Sequence, residues 1–417
     1  MSVQSVNIVR CGLSALAFAL VMHVSEPCIA AKKTRVAGKK KAVTNKKINA
    51  AGTAERTPLK LQPNNQAELL QAQGKYAEAG QLFRQELTLR EQNLGNDHPD
   101  AAASMNNLAL VLQAQGKYAE AEPLYRRALA IREQKLGKEH PDTATSMNNL
   151  AELLRVQGKY GDAEPLYRRA FEIREQKLGK DHPDVATSLN NLAVVLDAQE
   201  KYDDAEPLYR RALEIDEKAY GKDHLDVAAD LNNLAELLRV QYRYAEAEPL
   251  YRRALVIRVQ KLGREHPDVA TSLNNLGALL FAQGKYDKAE PLYRRALAIH
   301  EQKLGKEHPD VATSLNNLGL VLYTQGKYAE AEPLYRRALT IRKQKLGNEH
   351  PNVASSLNNL AKLLFAQGKY AEAEPLYRGA VAIGEQKLGK DHPDTIRYRN
   401  NLKALLDKEA FENRPLY

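Results

Sequence analysis

The 417-residue chain has no tryptophan, six phenylalanines, four methionines and two cysteines. Cys11 and Cys28 are too few for a disulfide framework or a cysteine-based zinc site. No apolar run reaches the about 20 residues of a membrane-spanning helix. The longest, from Gly12 to Val24, is broken by Ser14 and His23. There is no glycine-rich phosphate loop, and no cysteine beyond position 28 to act as a nucleophile. What is present suits a folded protein: 43% of residues are apolar and 27% charged. That composition excludes a collagen-like or wholly disordered chain.

Residues 1–30 read as a secretory signal peptide. Arg10 and the amino terminus form the positive region, the Gly12-to-Val24 stretch the apolar one, and Cys28-Ile29-Ala30 a small-x-small cleavage site. An uncleaved anchor is the alternative. A lipid attached at Cys28 fits less well, because Ser25-Glu26-Pro27 lacks the expected apolar and small residues. Cleavage after Ala30 leaves no cysteine to mispair in an oxidising compartment. The expectation is export to the periplasm or the exterior, with no span after cleavage.

Residues 31–60 form a basic low-complexity linker. Between Lys32 and Lys60 it carries ten basic residues against Glu55, which accounts for the whole net charge of +9. Residues 61–417 are neutral in sum. A solvated linker and a tail adhering to an anionic surface are both open readings. Specific nucleic-acid binding is not expected, since no aromatic residue stands among these lysines.

The rest is organised by a repeat. Asn-Asn recurs with one fixed step from Asn64-Asn65 to Asn400-Asn401, and His98 to His392 and Tyr76 to Tyr370 recur with the same step of 42 residues. In one copy, Ala144, Met147, Leu150, Ala151 and Leu154 make an apolar stripe at helical spacing. Pro141 and Asp142 suit the start of that helix, and Gly158 its end. A second helix spans about 160–178, with Gly179 as its stop. Pro165 fits only near a helix start, so a start nearer Ala163 is an alternative. One hairpin cannot bury its stripe alone, so neighbours must stack. The chain is expected to be an all-α solenoid of eight hairpins within 61–393. Their approximate bounds are 58–95, 99–137, 141–179, 183–221, 225–263, 267–305, 309–347 and 351–389. A capping helix and tail follow at 394–417. The first hairpin diverges, as terminal units do.

The motifs NNLA, GKYAEAEPLYRRALAI, REQKLG and KEHPD resemble the tetratricopeptide repeat, and more narrowly the longer repeats of kinesin light chains. The resemblance covers about 66–406. Met105, Met147 or Leu189 stands where the family places a tryptophan. It implies a right-handed superhelical scaffold that holds peptide segments of partner proteins in a concave groove.

In that family the groove is lined by the first helix of each hairpin. The corresponding residues are Asn106, Asn148, Asn190, Asn232, Asn274, Asn316 and Asn358, each followed by two variable positions. The asparagines read either as a structural ladder or as a grip on an extended peptide backbone, both of which need an amide. The lysines of carboxylate-clamp members are missing beside Asn106 and Asn148. Arg155 and Arg239 offer charge for acidic groups, with Glu152 and Glu236 placed to neutralise them. Phe281, Tyr323 and Phe365 fall in three consecutive copies and are expected to anchor an apolar segment; packing against the next repeat is the alternative. Glu200 and Tyr242 replace the turn glycine and Leu225 the proline, so the array is expected to be weakest near 200–245.

The histidines recur once per hairpin, roughly 10 Å apart by helix packing. That is too far for one metal, whose ligands all lie about 2 Å from it. They read as loop caps. Everything acidic is likewise repeated, so no unique catalytic pair stands out. The expected function is a non-enzymatic interaction scaffold without a cofactor, with an envelope-attached spacer as the alternative.

Overall fold

A computed structural model describes residues 63–412. The readings for the signal peptide and basic linker, and for both cysteines, lie outside the described residues. Those residues form seventeen α-helices and no strand. The helices are α1 (Pro63–Ala72), α2 (Tyr76–Leu94), α3 (Pro99–Ala114), α4 (Tyr118–Lys135), α5 (Pro141–Val156), α6 (Tyr160–Leu178), α7 (Pro183–Ala198), α8 (Tyr202–Tyr220) and α9 (Leu225–Val240). Then come α10 (Tyr244–Leu262), α11 (Pro267–Ala282), α12 (Tyr286–Leu304), α13 (Pro309–Thr324), α14 (Tyr328–Leu346), α15 (Pro351–Ala366), α16 (Tyr370–Lys387) and α17 (Pro393–Glu412). Consecutive pairs are hairpins 1 to 8, and α17 closes the stack. No described helix is long and apolar enough to cross a membrane.

Each first helix from α3 onward starts in the same way. The histidine before it has extended backbone, and its Nδ1 accepts the N–H of the residue two positions on, as in His140 with Asp142 (3.1 Å). This satisfies one of the unpaired donors of a helix start. Proline at the next position has no donor to lose. The histidines are therefore helix caps.

The hairpin turn is as uniform. Gly158 has φ +75°, its N–H donates to Arg155 O at 2.9 Å, and Lys159 N–H donates to Leu154 O at 2.9 Å. Glu200 and Tyr242 make the same turn with φ +60° and +62°. A left-handed non-glycine residue costs about 1 kcal/mol. The second helix begins at Tyr160, not Ala163, and Pro165 lies inside it. So early in a helix a proline forfeits one hydrogen bond, and packing of the hairpin outweighs that loss.

In hairpins 2 to 8 the second helix buries a tyrosine, with Phe83 in its place in hairpin 1: Tyr125, Tyr167, Tyr209, Tyr251, Tyr293, Tyr335 and Tyr377 are at most 2% exposed. Burying one such side chain is worth about 1.5–3 kcal/mol. Alanines at Ala121, Ala163 and their equivalents are fully buried and let the helices approach closely. One apolar cluster runs through the turn end of every hairpin, with smaller separate plugs at the loop end.

Buried polar bonds join neighbouring hairpins. Arg132 donates to Ser146 Oγ (3.0 Å) and Asp142 O (2.8 Å), and Arg258 and Arg342 repeat the pattern with Ser272 and Ser356. Arg174 donates to Ser188 at 2.8 Å, and His300 bonds Ser314 at 2.9 Å.

The two ends of the solenoid also meet. The turn of hairpin 1 lies under the start of α13, that of hairpin 2 under α15, and that of hairpin 3 under α17. A Cβ at Gly74 would stand 2.9 Å from Pro309 Cδ, one at Gly116 2.9 Å from His350 Cδ2, and one at Gly158 2.7 Å from His392 Cδ2. The equivalent Gly284, Gly326 and Gly368 have open space. The seam covers the capping histidines it touches: the His308 side chain is 8% exposed against 41% for His140. Successive turns of the superhelix are thus in van der Waals contact.

Candidate functional site

The asparagine column lies between consecutive first helices. Asn106 Nδ2 donates to Ser146 Oγ at 3.0 Å, Asn274 to Ser314 at 3.3 Å and Asn316 to Ser356 at 3.4 Å. Asn190 donates to Asp230 Oδ1 at 2.6 Å. Asn232 donates to Ala228 O within its own helix, and Asn358 accepts from Asn401 at 2.7 Å. The amide N–H groups of Asn106, Asn190, Asn274 and Asn316 are thereby used for stacking. The carbonyl ends are not: Oδ1 of Asn106, Asn148, Asn190, Asn232, Asn274 and Asn316 is buried and faces no donor among the described residues. Asn148 goes further, with both polar atoms buried and unbonded. Such orphaned acceptors each cost about 1–3 kcal/mol.

Arg155 and Arg239 sit about two turns beyond the asparagine on α5 and α9. Arg155 forms a two-pronged pair with Glu152 (both 2.8 Å), and Tyr167 donates its hydroxyl to the same carboxylate at 2.9 Å. Arg239, 4% exposed, does the same with Glu236 (2.8 and 2.7 Å), joined by Tyr251 at 2.6 Å. Both guanidinium groups are thus neutralised where they stand. Between them in the column lies Asp197. Burial, then Glu236 nearby, pushes its carboxyl up to about 7, against the pull of Arg239 and Arg155.

Phe281, Tyr323 and Phe365 close the last turns of α11, α13 and α15 and are half-buried. Each tilts against the first tyrosine of its own second helix: Tyr286 at 5.2 Å, Tyr328 at 5.5 Å and Tyr370 at 5.5 Å between centroids. These ring–ring contacts lie within each hairpin. Lys362 places its ammonium 5.8 Å from the Tyr323 ring centre. Burial, and then Arg397, lowers it to about 8. No carboxylate lies within ion-pairing distance of Lys362 among the described residues.

Sequence reasoning placed the asparagines, arginines and rings on one helix face. It missed Lys362 as a half-buried cation and Asp197 as a raised carboxyl. It also missed Ser146 and its equivalents as the asparagines' partners. Their sequence signal was a serine recurring two residues before six of the nine Asn-Asn pairs, with Asp230 in that place before Asn232.

Comparison with known proteins follows the same lines. Residues 62–134, 100–176, 142–218, 184–258, 226–302 and 268–344 match a tetratricopeptide repeat family, and 353–394 match a second tetratricopeptide repeat family. No curated protein matches the chain. Among solved structures, the chain is similar to a putative kinesin light chain of Podosopora anserina with nearly identical TPR-like repeats. They share 26% identity over 49% of this chain and 97% of that one, with a TM-score of 0.43. It is similar to BtubC of P. vanneervenii at 29% identity, covering 58% and 92% of the two chains, with a TM-score of 0.44. Yeast Tom70 shares the fold at 15% identity, covering 82% and 61%, with a TM-score of 0.51. With matches running through nearly all of the described residues, the chain belongs to the tetratricopeptide-repeat family.

Proposed function

We propose that the protein is a non-enzymatic interaction scaffold that takes up an extended segment of a partner protein along the face of its first helices. The tetratricopeptide solenoid is a fold typical of protein-interaction scaffolds. The observation that carries the finer reading is the column of buried asparagine carbonyls without donors. A stacking ladder accounts for the amide N–H groups and leaves these acceptors unexplained. A peptide backbone supplies N–H donors at regular intervals, which is what a column of unpaired acceptors lacks. Phe281, Tyr323 and Phe365 then offer apolar surface to the segment's side chains. Because the acceptors are inaccessible in the closed superhelix, uptake of a segment entails parting of the first helices. Export to the envelope or exterior, and adhesion of the basic segment to anionic surfaces, belong to the same proposal.

Asn148 discriminates between the two roles. As it makes no hydrogen bond, Asn148→Ala removes nothing from the ladder, and its urea midpoint is expected to equal or exceed that of the parent. Segments selected from a displayed peptide library on the full chain are expected to bind this variant at least tenfold more weakly. Unchanged binding by Asn148→Ala, together with unchanged binding by a folded Phe281→Ala/Tyr323→Ala/Phe365→Ala variant, would remove this face as the site.

A further inference from the structure

The groove face of the array changes character at its carboxyl-terminal end. In register with Glu152 and Glu236, α15 holds Lys362, and in register with Thr145, α17 holds Arg397. The arginines nearer the amino terminus are matched, Arg155 by Glu152 and Arg239 by Glu236. Lys362 is not. It is half-buried, its ammonium lies 5.8 Å from the Tyr323 ring centre, and it forms no hydrogen bond or ion pair with any described residue.

The exchange of acid for base also leaves a hydroxyl without its acceptor. Tyr167 and Tyr251 donate to Glu152 and Glu236 at 2.9 and 2.6 Å. Tyr377 on α16 is the tyrosine in register with them, and Lys362 stands where its acceptor would be. The Tyr377 hydroxyl has no hydrogen-bond partner among the described residues. Tyr323 ties the group together, since its ring faces Lys362 and, after burial, it is the neighbour that raises Tyr377. Arg397 pairs through Nη2 with Asp394 at 2.8 Å, while its Nε is buried and unbonded. Asp407, further along the same face of α17, is exposed and forms no ion pair with either cation. Lys362 and Arg397 thus bring two positive charges, Asp394 cancels one, and one is left over. A half-buried charge without a partner weakens the fold. What would answer it is an acceptor of single negative charge with oxygens for both the ammonium and the hydroxyl. A carboxylate is such a group, whereas a phosphate brings about twice the charge.

We propose that Lys362, with Tyr377 beside it and Arg397 behind it, forms a carboxylate-binding subsite at the carboxyl-terminal end of the groove. The subsite rests on the segment-binding reading and gives the segment a chemical class: apolar side chains over Phe281, Tyr323 and Phe365, and one carboxylate at hairpin 8. An acidic side chain and a chain terminus both present the two oxygens that the subsite needs.

The test is a magnetic-resonance titration of the full chain, isotope-labelled at lysine Cε. Acetyl-leucyl-aspartate amide offers a side-chain carboxylate and acetyl-leucyl-leucine a terminal one. Acetyl-leucyl-asparagine amide and acetyl-leucyl-leucine amide are the uncharged controls. The Lys362 signal, assigned by its absence from Lys362→Gln, is expected to shift saturably with a carboxylate probe, at about tenfold lower concentration than with its control. Which probe acts identifies the source. Segments selected on the full chain are expected to carry an acid at one fixed place. Exchanging it for the amide is expected to weaken binding to the parent about tenfold and to leave binding to Lys362→Gln unchanged. A Lys362 signal that answers carboxylate and amide alike overturns the proposal, whatever segments bind. So does an acid preference that survives Lys362→Gln. If the carboxylate probes act and no segment can be selected, the subsite stands and the segment-binding reading falls.

Discussion

At the scale of the residue, position in the helical stack decides what a charge costs. Arg239 is buried and Arg155 half-buried, yet each carries a glutamate one helical turn away, so their charges are matched. Lys362 is half-buried with an aromatic face for company. Its folded value near 8 lies below the unfolded lysine value of about 10.4. Folding therefore favours the neutral amine: this contribution is present above about pH 10 and is lost as pH falls through 8. Lys362→Met is expected to stabilise the chain by about 1–3 kcal/mol at pH 7. The gain should shrink towards pH 10, as read from urea midpoints at the two pH values. The sequence shows Lys362 as one of several variable residues on a helix face. Nothing local distinguishes it from a solvated lysine, because the rings and Arg397 that bury it come from other elements.

At the scale of the element, most boundaries were legible. The histidine cap, the proline after it and the turn glycine each act within a few residues, so they are written in adjacent letters. Pro165 misleads for the opposite reason. Its local cost argues for a later start, while packing between the two helices of the hairpin carries the helix back to Tyr160. The turn glycines hold a second meaning that is not local. Gly116 and Gly368 have φ +69° and +76°, so alanine at either is strained by about 1 kcal/mol. Gly116 alone of the two abuts the next superhelical turn. Gly116→Ala is expected to cost about 1–3 kcal/mol more than Gly368→Ala, as overpacking does. Equal costs in urea unfolding would show that the seam contributes nothing to stability.

At the scale of the whole molecule, a solenoid's stability is a sum of hairpins and their junctions, so one poor junction divides it. Glu200, Tyr242 and Leu225 all depart from the repeat pattern at the same one. Hydrogen exchange is expected to be fastest, among the helices of the array interior, in α8 and α9. Glu200→Gly with Tyr242→Gly is expected to restore about 1 kcal/mol per turn and to slow exchange there. Uniform exchange along the array, or no response to the two glycines, would contradict this. The breaks at Glu200, Tyr242 and Leu225 stand out when the copies are compared in step. Asp216 and Asp230 stand out in the same comparison, but only the stacked structure shows that both are buried.

The sequence by itself determined the all-α class, the hairpin unit, its length and its helix ends, because these rest on spacing, caps and turns within one repeat. It also placed the asparagines on one face, since helical periodicity does so without reference to any neighbour. Only the tertiary structure decided how far each hairpin turns relative to the last. That angle comes from side-chain packing across every junction, and small increments accumulate along the stack. The accumulated rotation brings Gly116 against His350 and buries the asparagine carbonyls.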